Sequence, residues 1–464
     1  METLLIINGT IVNPETIRKE SLVVSDGRII EVGNINPKAY KGAKIIDAER
    51  KFVLPGGIDP HVHFALPTPA GKSSDDFASG SRAAIAGGTT TFIDFVTPCR
   101  GQTLQYALDR RKAEAITSGI DYKLHLGISE WNADIASELQ QCLEEEGITS
   151  IKTYLAYRNT IGITYDELQQ VMEIAAPSGR LVMVHCEDGE MIGHLQDDLL
   201  RQGKTRPCYH ASSRPPETEI RAVEKVIGLS AKTGCPVYIV HVSTAEAAEA
   251  ISSAKRSGLS VFAETCPHYL LLDESVYDEG LDDFNVLPYV LSPPLRSGYD
   301  QERLWKGLSD GTFDTVATDH CPFNLYGQKD KGIHDFTKIP NGAGGIEHRL
   351  SLLHTFGVLK GKITMNQFVR LVSTRPAELF GLAHHKGRIE QGYDADIVIW
   401  NPESESRISA NHHFQKCDSD IFEGFQIRGK PETVVVNGQI VFRDGKFRMK
   451  DLKGRYLPGR NKVK

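Results

Sequence analysis

Six residues in the middle of the chain have the types and the spacing of a metal-dependent active site. His61 and His63 stand one residue apart at the end of the apolar run GIDPHVHF. His185 lies near the end of RLVMVHCE, His241 of PVYIVHVS and Asp319 of DTVATDHC, while Lys152 falls within SIKTYLAY. Residues i and i+2 of a strand point the same way, so His61 and His63 can grip one cation from a single strand. Imidazole suits zinc, iron, nickel or cobalt, and a carboxylate completes such a set. Lys152 is the odd member, because an ammonium beside divalent cations is repelled and burial disfavours its charge. Either its head escapes to solvent, or the neutral amine has combined with CO₂ to give a carbamate, an anion able to bridge two metals. The remaining histidines (His125, His194, His210, His268, His320, His334, His348, His354 and the pairs His384-His385 and His412-His413) lack a matching place at a strand end. They are expected at the surface, in packing, or supporting a ligand.

Those six residues need a scaffold that gathers strand ends at one point. Eight apolar runs recur: GIDPHVHF, TTTFIDF, YKLHLGI, SIKTYLAY, RLVMVHCE, PVYIVHVS, LSVFAETC and DTVATDHC. Amphipathic stretches such as ADIASELQQCLEEEG and TEIRAVEKVIGLSAKTG lie between them. Unbroken apolar strands alternating with helices predict a parallel sheet. Eight units predict an α/β fold, a TIM-like (β/α)8 barrel, whose active site forms at the C-terminal ends of the strands. An open doubly wound sheet is the alternative. Both ends of the chain read instead as short strands, with Asn8-Gly9, Asp26-Gly27, Asn437-Gly438 and Asp444-Gly445 as hairpin turns. The expectation is one small β-sandwich domain built from both chain ends, residues 1–54 plus 386–464, around a barrel of residues 55–385. The basic stretch from Lys450 to Lys464 predicts a solvated tail or an arm onto a neighbouring subunit.

Composition narrows the class without choosing the chemistry. The 464 residues carry 53 Lys and Arg against 60 Asp and Glu, a net charge of −7. That balance disfavours a nucleic-acid binder, which needs a basic stripe. The eight cysteines form no CxxC pair, so neither a cysteine zinc finger nor a disulfide framework is expected, and a reducing cytoplasm is the default. The start METLLIINGTIVNPE lacks a signal-peptide pattern, and no apolar run is long enough to span a membrane.

The segments PGGIDPHVHF, SIKTYLAY, VHCED, VHVS, YVLSPPLR, VATDHCPF and IPNGAGGIEHR together resemble the cyclic amidohydrolases of the dihydropyrimidinase and D-hydantoinase family. The resemblance covers nearly the whole chain. It implies two divalent metal ions, zinc by habit of the family, bridged by Lys152 as N6-carboxylysine. His61, His63 and Asp319 would hold the more buried ion, and His185 and His241 the other. A hydroxide bridging the two metals would attack a ring amide carbonyl. Asp319 would act as general base and then acid, and Tyr157 would donate to the oxyanion. The backbones of Ser292 and Cys321 and the side chain of Asn341 would bind the alternating N–H and C=O groups of the ring. Gly-rich NGAGG would let backbone approach the ligand closely. The products would be N-carbamoyl amino acids, and a homotetramer or dimer is implied.

Within that family the ring substrate is open. Dihydroorotases usually carry an Arg two residues after HxH, to pair with the substrate carboxylate; this chain has Phe64-Ala65 there. Allantoinase is the alternative, and a dihydropyrimidinase-like partner-binding protein without catalysis a more distant one. After HVHF the chain reads ALPTPAGKSSDDF, where many family members have a Gly-rich MPFGG-like stretch. This loop is expected to line the pocket for the ring's exocyclic group, which leaves the choice between dihydropyrimidines and 5-substituted hydantoins, and the enantiomer, undecided.

Overall fold

The computed structural model describes residues 3–157 and 160–459. Eight strands lie side by side in chain order, each parallel to the next. They are β1 (Gly57–Val62), β2 (Thr89–Val96), β3 (Asp121–Gly127), β4 (Ser150–Tyr154), β5 (Leu181–His185), β6 (Val237–Ile239), β7 (Val261–Thr265) and β8 (Thr315–Val316). The sheet curls until its first and last members meet just beyond β8. Val62 bridges His320, the His63 N–H donates to the His320 carbonyl at 2.8 Å, and the Thr318 hydroxyl donates to Asp59 at 2.6 Å. The eight apolar runs thus form a TIM-like barrel.

The runs are apolar throughout because both faces of the strands are covered. Every residue of β2, β3, β4 and β5 is buried. Outside, helices begin on their own caps: Asp76 with Ser79, and Thr164 with Glu167, form reciprocal capping boxes for Phe77–Ala86 and Tyr165–Ala175. Helix Pro216–Thr233 starts on proline and stops at left-handed Gly234.

The runs that carry His241 and Asp319 end as strands earlier than their sequence predicts. His241 falls two residues past β6 and Asp319 three past β8, and both have positive φ, 39° and 49°. A left-handed residue cannot continue a ladder, and each such conformation costs on the order of 1–3 kcal/mol. Tyr157, at φ 60°, is a third. Chain reversal thus places these three residues, whereas Lys152 and His185 are held within strands.

Two further sheets come from the chain ends. A seven-stranded sheet takes Thr10–Val12, Ile17–Lys19 and Phe52–Pro55 from the start and Ile397–Arg407, Gln426–Val436, Gln439–Arg443 and Lys446–Phe447 from the end. A four-stranded sheet uses Leu4–Ile7, Ser21–Ser25, Arg28–Gly33 and Lys44–Asp47. Leu4, Ile6 and Leu22 of the smaller sheet pack with Val53, Ile397 and Val435 of the larger, which makes a sandwich.

Three of the four expected hairpins are present, at Asp26-Gly27, Asn437-Gly438 and Asp444-Gly445, each with two positive φ angles. Asn8-Gly9 is not one: the strands before and after it belong to different sheets, and the turn carries the chain from one layer to the other. A Cβ on Gly9 would lie 2.4 Å from the Val53 side chain, so the glycine serves close approach.

The expected solvated tail is also corrected over its described part. Residues 454–459 strap across the N-terminal end of β3: Tyr122 N–H donates to the Arg455 carbonyl and Leu457 N–H to the Tyr122 carbonyl. The Arg455 guanidinium donates to Asp121 at 2.6 Å, and Leu457 is buried. Residues 460–464 lie outside the described residues. Among the described residues no helix is long and apolar enough to cross a membrane.

Candidate active site

His61 and His63 come from the end of β1 and meet Asp319 from the loop after β8. Their facing atoms lie close together: His61 Nε2 to His63 Nε2 is 3.2 Å, His61 Nε2 to Asp319 Oδ1 3.0 Å, and His63 Nε2 to Asp319 Oδ1 3.1 Å. Donors about 2.0–2.2 Å from one tetrahedral ion sit about 3.3–3.5 Å apart, so this triad suits a single cation. The second pair is His185 Nδ1 and His241 Nε2, 2.9 Å apart. The His61 and His241 ring centroids are 5.5 Å apart, which joins the two groups into one site.

Lys152 points into the same space from β4. It is fully buried, and its Nζ has no hydrogen-bond partner. The Tyr154 ring lies 4.9 Å from it and the Phe95 ring 5.1 Å. Burial, only partly offset by Glu264 and Asp319, lowers its pKa to about 8. Its charge, where present, acts on His61 of the first group and on His185 and His241 of the second, lowering their pKa. A head that escapes to solvent is thereby ruled out. An orphaned amine among imidazoles and a carboxylate is the environment in which an added anionic ligand fits.

Two carboxylates fix which nitrogen of each ring faces the site. Glu264 of β7 is hydrogen-bonded to His61 Nδ1, so His61 Nε2 is the nitrogen that faces Asp319 and His63. Glu187 Oε2 is 2.7 Å from His185 Nε2, so His185 Nδ1 faces His241. Burial raises and the histidines more strongly lower the Asp319 pKa, which holds it well below the usual carboxylate range. Burial also lowers the pKa of His63, His185 and His241, keeping them neutral as ligands must be. His61 is the exception: burial lowers its pKa, but Glu264 and Asp319 together raise it to about 9.

Glu264 and Glu187 were not singled out from sequence, yet both leave a signal there. Glu264 is the one charged residue in the run LSVFAETC, and acids seldom sit in an apolar strand without a partner. Glu187 follows His185 by two, the spacing that marks His61 and His63. Glu264→Gln is expected to weaken metal binding about 10–100-fold, the usual effect of removing an orienting carboxylate. Competition against a chelator measures it.

The substrate-side residues gather around Tyr157. The Asn341 amide donates to the Tyr157 hydroxyl at 3.3 Å, and the Arg214 guanidinium lies 5.3 Å above the Tyr157 ring. The same arginine pairs with Glu187 and donates to Ser292 Oγ at 2.6 Å, and Ser292 Oγ donates to Glu187 at 2.8 Å. The Ser292 hydroxyl is therefore engaged within the wall. The Cys321 N–H is spent on the Ala343 carbonyl at 2.9 Å, which leaves its carbonyl as the backbone group for a ligand. That carbonyl is crowded by Gly342, where a Cβ would come within 2.4 Å, so NGAGG needs glycine at this point. Phe64 turns into the barrel wall, fully buried against Phe92 at 4.9 Å, and its carbonyl accepts from the Arg111 guanidinium, which is itself paired with Asp94. After Phe64, Pro67–Thr68 and Gly71–Lys72 pair as a small surface hairpin.

The Amidohydrolase family profile matches residues 52–441. The chain is 44% identical over 456 residues to a D-hydantoinase of Geobacillus stearothermophilus, covering 98% of this chain and 96% of that protein. It is 40% identical to a dihydropyrimidinase 2 of Caenorhabditis elegans, covering 98% and 88%. The crystal structure of dihydropyrimidinase from Brevibacillus agri superposes with a TM-score of 0.96 at 39% identity, covering 98% of each chain.

Proposed function

This chain belongs to the amidohydrolase family, a metal-dependent family of hydrolases, and on that premise we propose that it opens the ring amide of 5-substituted hydantoins and dihydropyrimidines to N-carbamoyl amino acids. The observation that carries the reading is the convergence of three ligand atoms, from His61, His63 and Asp319, beside a buried lysine amine with no partner. The likenesses favour these rings over allantoin. They also favour the D enantiomer of a hydantoin.

The donor set suits two divalent cations, zinc in our reading. His61, His63 and Asp319 would hold one and His185 and His241 the other, with Lys152 as a carbamate between them. When bound, such a pair lowers the pKa of a water toward neutrality and polarises the scissile carbonyl. Asp319 takes a proton from the attacking water and returns it to the ring nitrogen as the C–N bond breaks. The Tyr157 hydroxyl accepts from Asn341, so its own hydrogen is free to meet the carbonyl oxygen as charge develops there. Asn341 and the Cys321 carbonyl supply donor and acceptor for the rest of the ring, with the Ser292 backbone beside them. The loop 65–76 borders the exocyclic group. Tyr157→Phe is expected to lower kcat about 10²–10³-fold with little change in KM, as loss of an oxyanion donor does; steady-state kinetics read it.

The deciding experiment assays metal-loaded protein against dihydrouracil, both enantiomers of 5-phenylhydantoin, allantoin and dihydroorotate. Turnover of the first two, D before L, is expected, with dihydroorotate poor because Ala65 stands where dihydroorotases usually carry an Arg. Ring opening of none of them by protein carrying two metals would overturn the reading. We further propose a cytoplasmic homo-oligomer, tetramer or dimer, whose barrel spans 55–385; all eight cysteines are free, as a reducing compartment requires.

A further inference from the structure

A second group of side chains, away from the active site, converges in the manner of metal ligands. His348 precedes the helix Arg349–Leu353, while His413 and Asp420 lie on the irregular stretch between Ile397–Arg407 and Gln426–Val436. His348 Nε2 is 2.8 Å from Asp420 Oδ2, His413 Nδ1 is 3.2 Å from it, and the three atoms lie within 4.8 Å of one another. The three side chains are between 1% and 9% exposed.

As the side chains stand, one buried oxygen of this group, Gln415 Oε1, is left without a partner. His413 Nε2 is 2.9 Å from the Cys417 carbonyl, a contact that requires the ring proton on Nε2. In the neutral ring the Nδ1 lone pair then faces a carboxylate oxygen, acceptor against acceptor. Gln415 lies on the same spot, its Nε2 3.0 Å from His413 Nδ1 and 3.3 Å from Asp420 Oδ2. Its Oε1 is buried without a partner, against Gly344, where a Cβ would come within 2.6 Å. Turning the carboxamide over directs that orphaned oxygen at the histidines and the carboxylate. Four acceptors would then share one point. A ligating imidazole characteristically donates its other N–H to a carbonyl, as His413 does to Cys417.

We propose that His348, His413 and Asp420, with Gln415 as fourth donor, bind one divalent transition-metal cation of zinc type, distinct from the ring-opening centre. Two imidazoles, a carboxylate and an amide oxygen are the donor set that borderline cations accept. The site is structural in kind. It pins the 409–425 stretch to the barrel rim, where the Phe414 N–H already meets Glu347 at 2.6 Å and the Lys416 N–H meets Asp75 at 3.0 Å.

The test compares the whole protein with its His413→Ala and Asp420→Asn variants after equilibration with Zn²⁺ and removal of loose metal. Each variant is expected to hold one equivalent per chain less than the parent while kcat for ring opening stays within about twofold. Anomalous diffraction from parent crystals at the zinc edge is expected to show a peak among the four side chains, and this reading needs no variant to fold. Equal metal content in parent and variants, or a map without that peak, overturns the proposal and leaves a proton-held hydrogen-bond cluster. Neither measurement depends on which ring the enzyme opens, and Lys152→Ala should keep this ion while losing metal from the active site.

Discussion

Lys152→Ala is expected to lower kcat/KM by about 10³-fold or more and to take metal from the active site with it. Metal chemistry in such sites is worth several kcal/mol, and each 1.36 kcal/mol is a factor of ten. The lysine is otherwise hard to account for: it is fully buried and its Nζ bonds to nothing. A carbamate needs the neutral amine. At pH 7 roughly one free lysine in three thousand is neutral, whereas a group with a pKa of about 8 is neutral in roughly one molecule in ten. Short carboxylic acids are expected to restore part of the activity of Lys152→Ala, since they return the missing anion. Lys152→Met fills the space and should stay folded, inactive and beyond rescue. Metal-stripped parent protein, reloaded with metal and bicarbonate, should regain activity faster as pH rises through about 8, because deprotonation makes the amine reactive. Full activity in the plain alanine variant would refute the carbamate.

Asp319→Asn should cost nearly as much, with kcat down about 10³–10⁴-fold and KM changed less than about tenfold. A positioned acid–base group contributes about 10²–10⁴-fold on its own, and the substitution also replaces a charged ligand with a neutral one. The variant is informative because it should fold. Asp319 has φ 49°, and asparagine tolerates the left-handed region as aspartate does. Thermal melting checks that the fold is kept, and steady-state kinetics give the split between kcat and KM. An unchanged kcat would remove Asp319 from proton transfer.

The barrel could be read because its strands are buried on both faces and so write themselves as unbroken apolar runs. His61, His63 and His185 were legible for a related reason, since a polar residue at the end of such a run has few structural excuses. His241 and Asp319 were found by type and position, but their geometry was not legible: a left-handed turn beyond a strand has no periodicity to announce it. Glu187 and Glu264 act through hydrogen bonds to ring nitrogens, a relation between residues 2 and 203 positions apart. The hairpin expected at Asn8-Gly9 had the right turn residues, yet the strand after a turn joins whichever sheet has room for it. The His348, His413 and Asp420 group stayed hidden because its members sit on irregular backbone, where no pattern links one segment to another.

The split sandwich also sets an order of events during synthesis. Phe52–Pro55 can pair on one side only with residues 397–400. At about 5–20 residues per second, the roughly 340 residues between them take about 20–70 s to emerge from the ribosome. For that time the first strands of the protein wait beside a nascent barrel with an open edge. The edge strand Ile17–Lys19 is exposed along its whole length and carries Arg18 and Lys19, charges that discourage pairing with another chain. The strap 454–459 is made after all eight barrel strands, so a nascent chain stalled short of it would hold those strands and still lack the floor beneath Asp121.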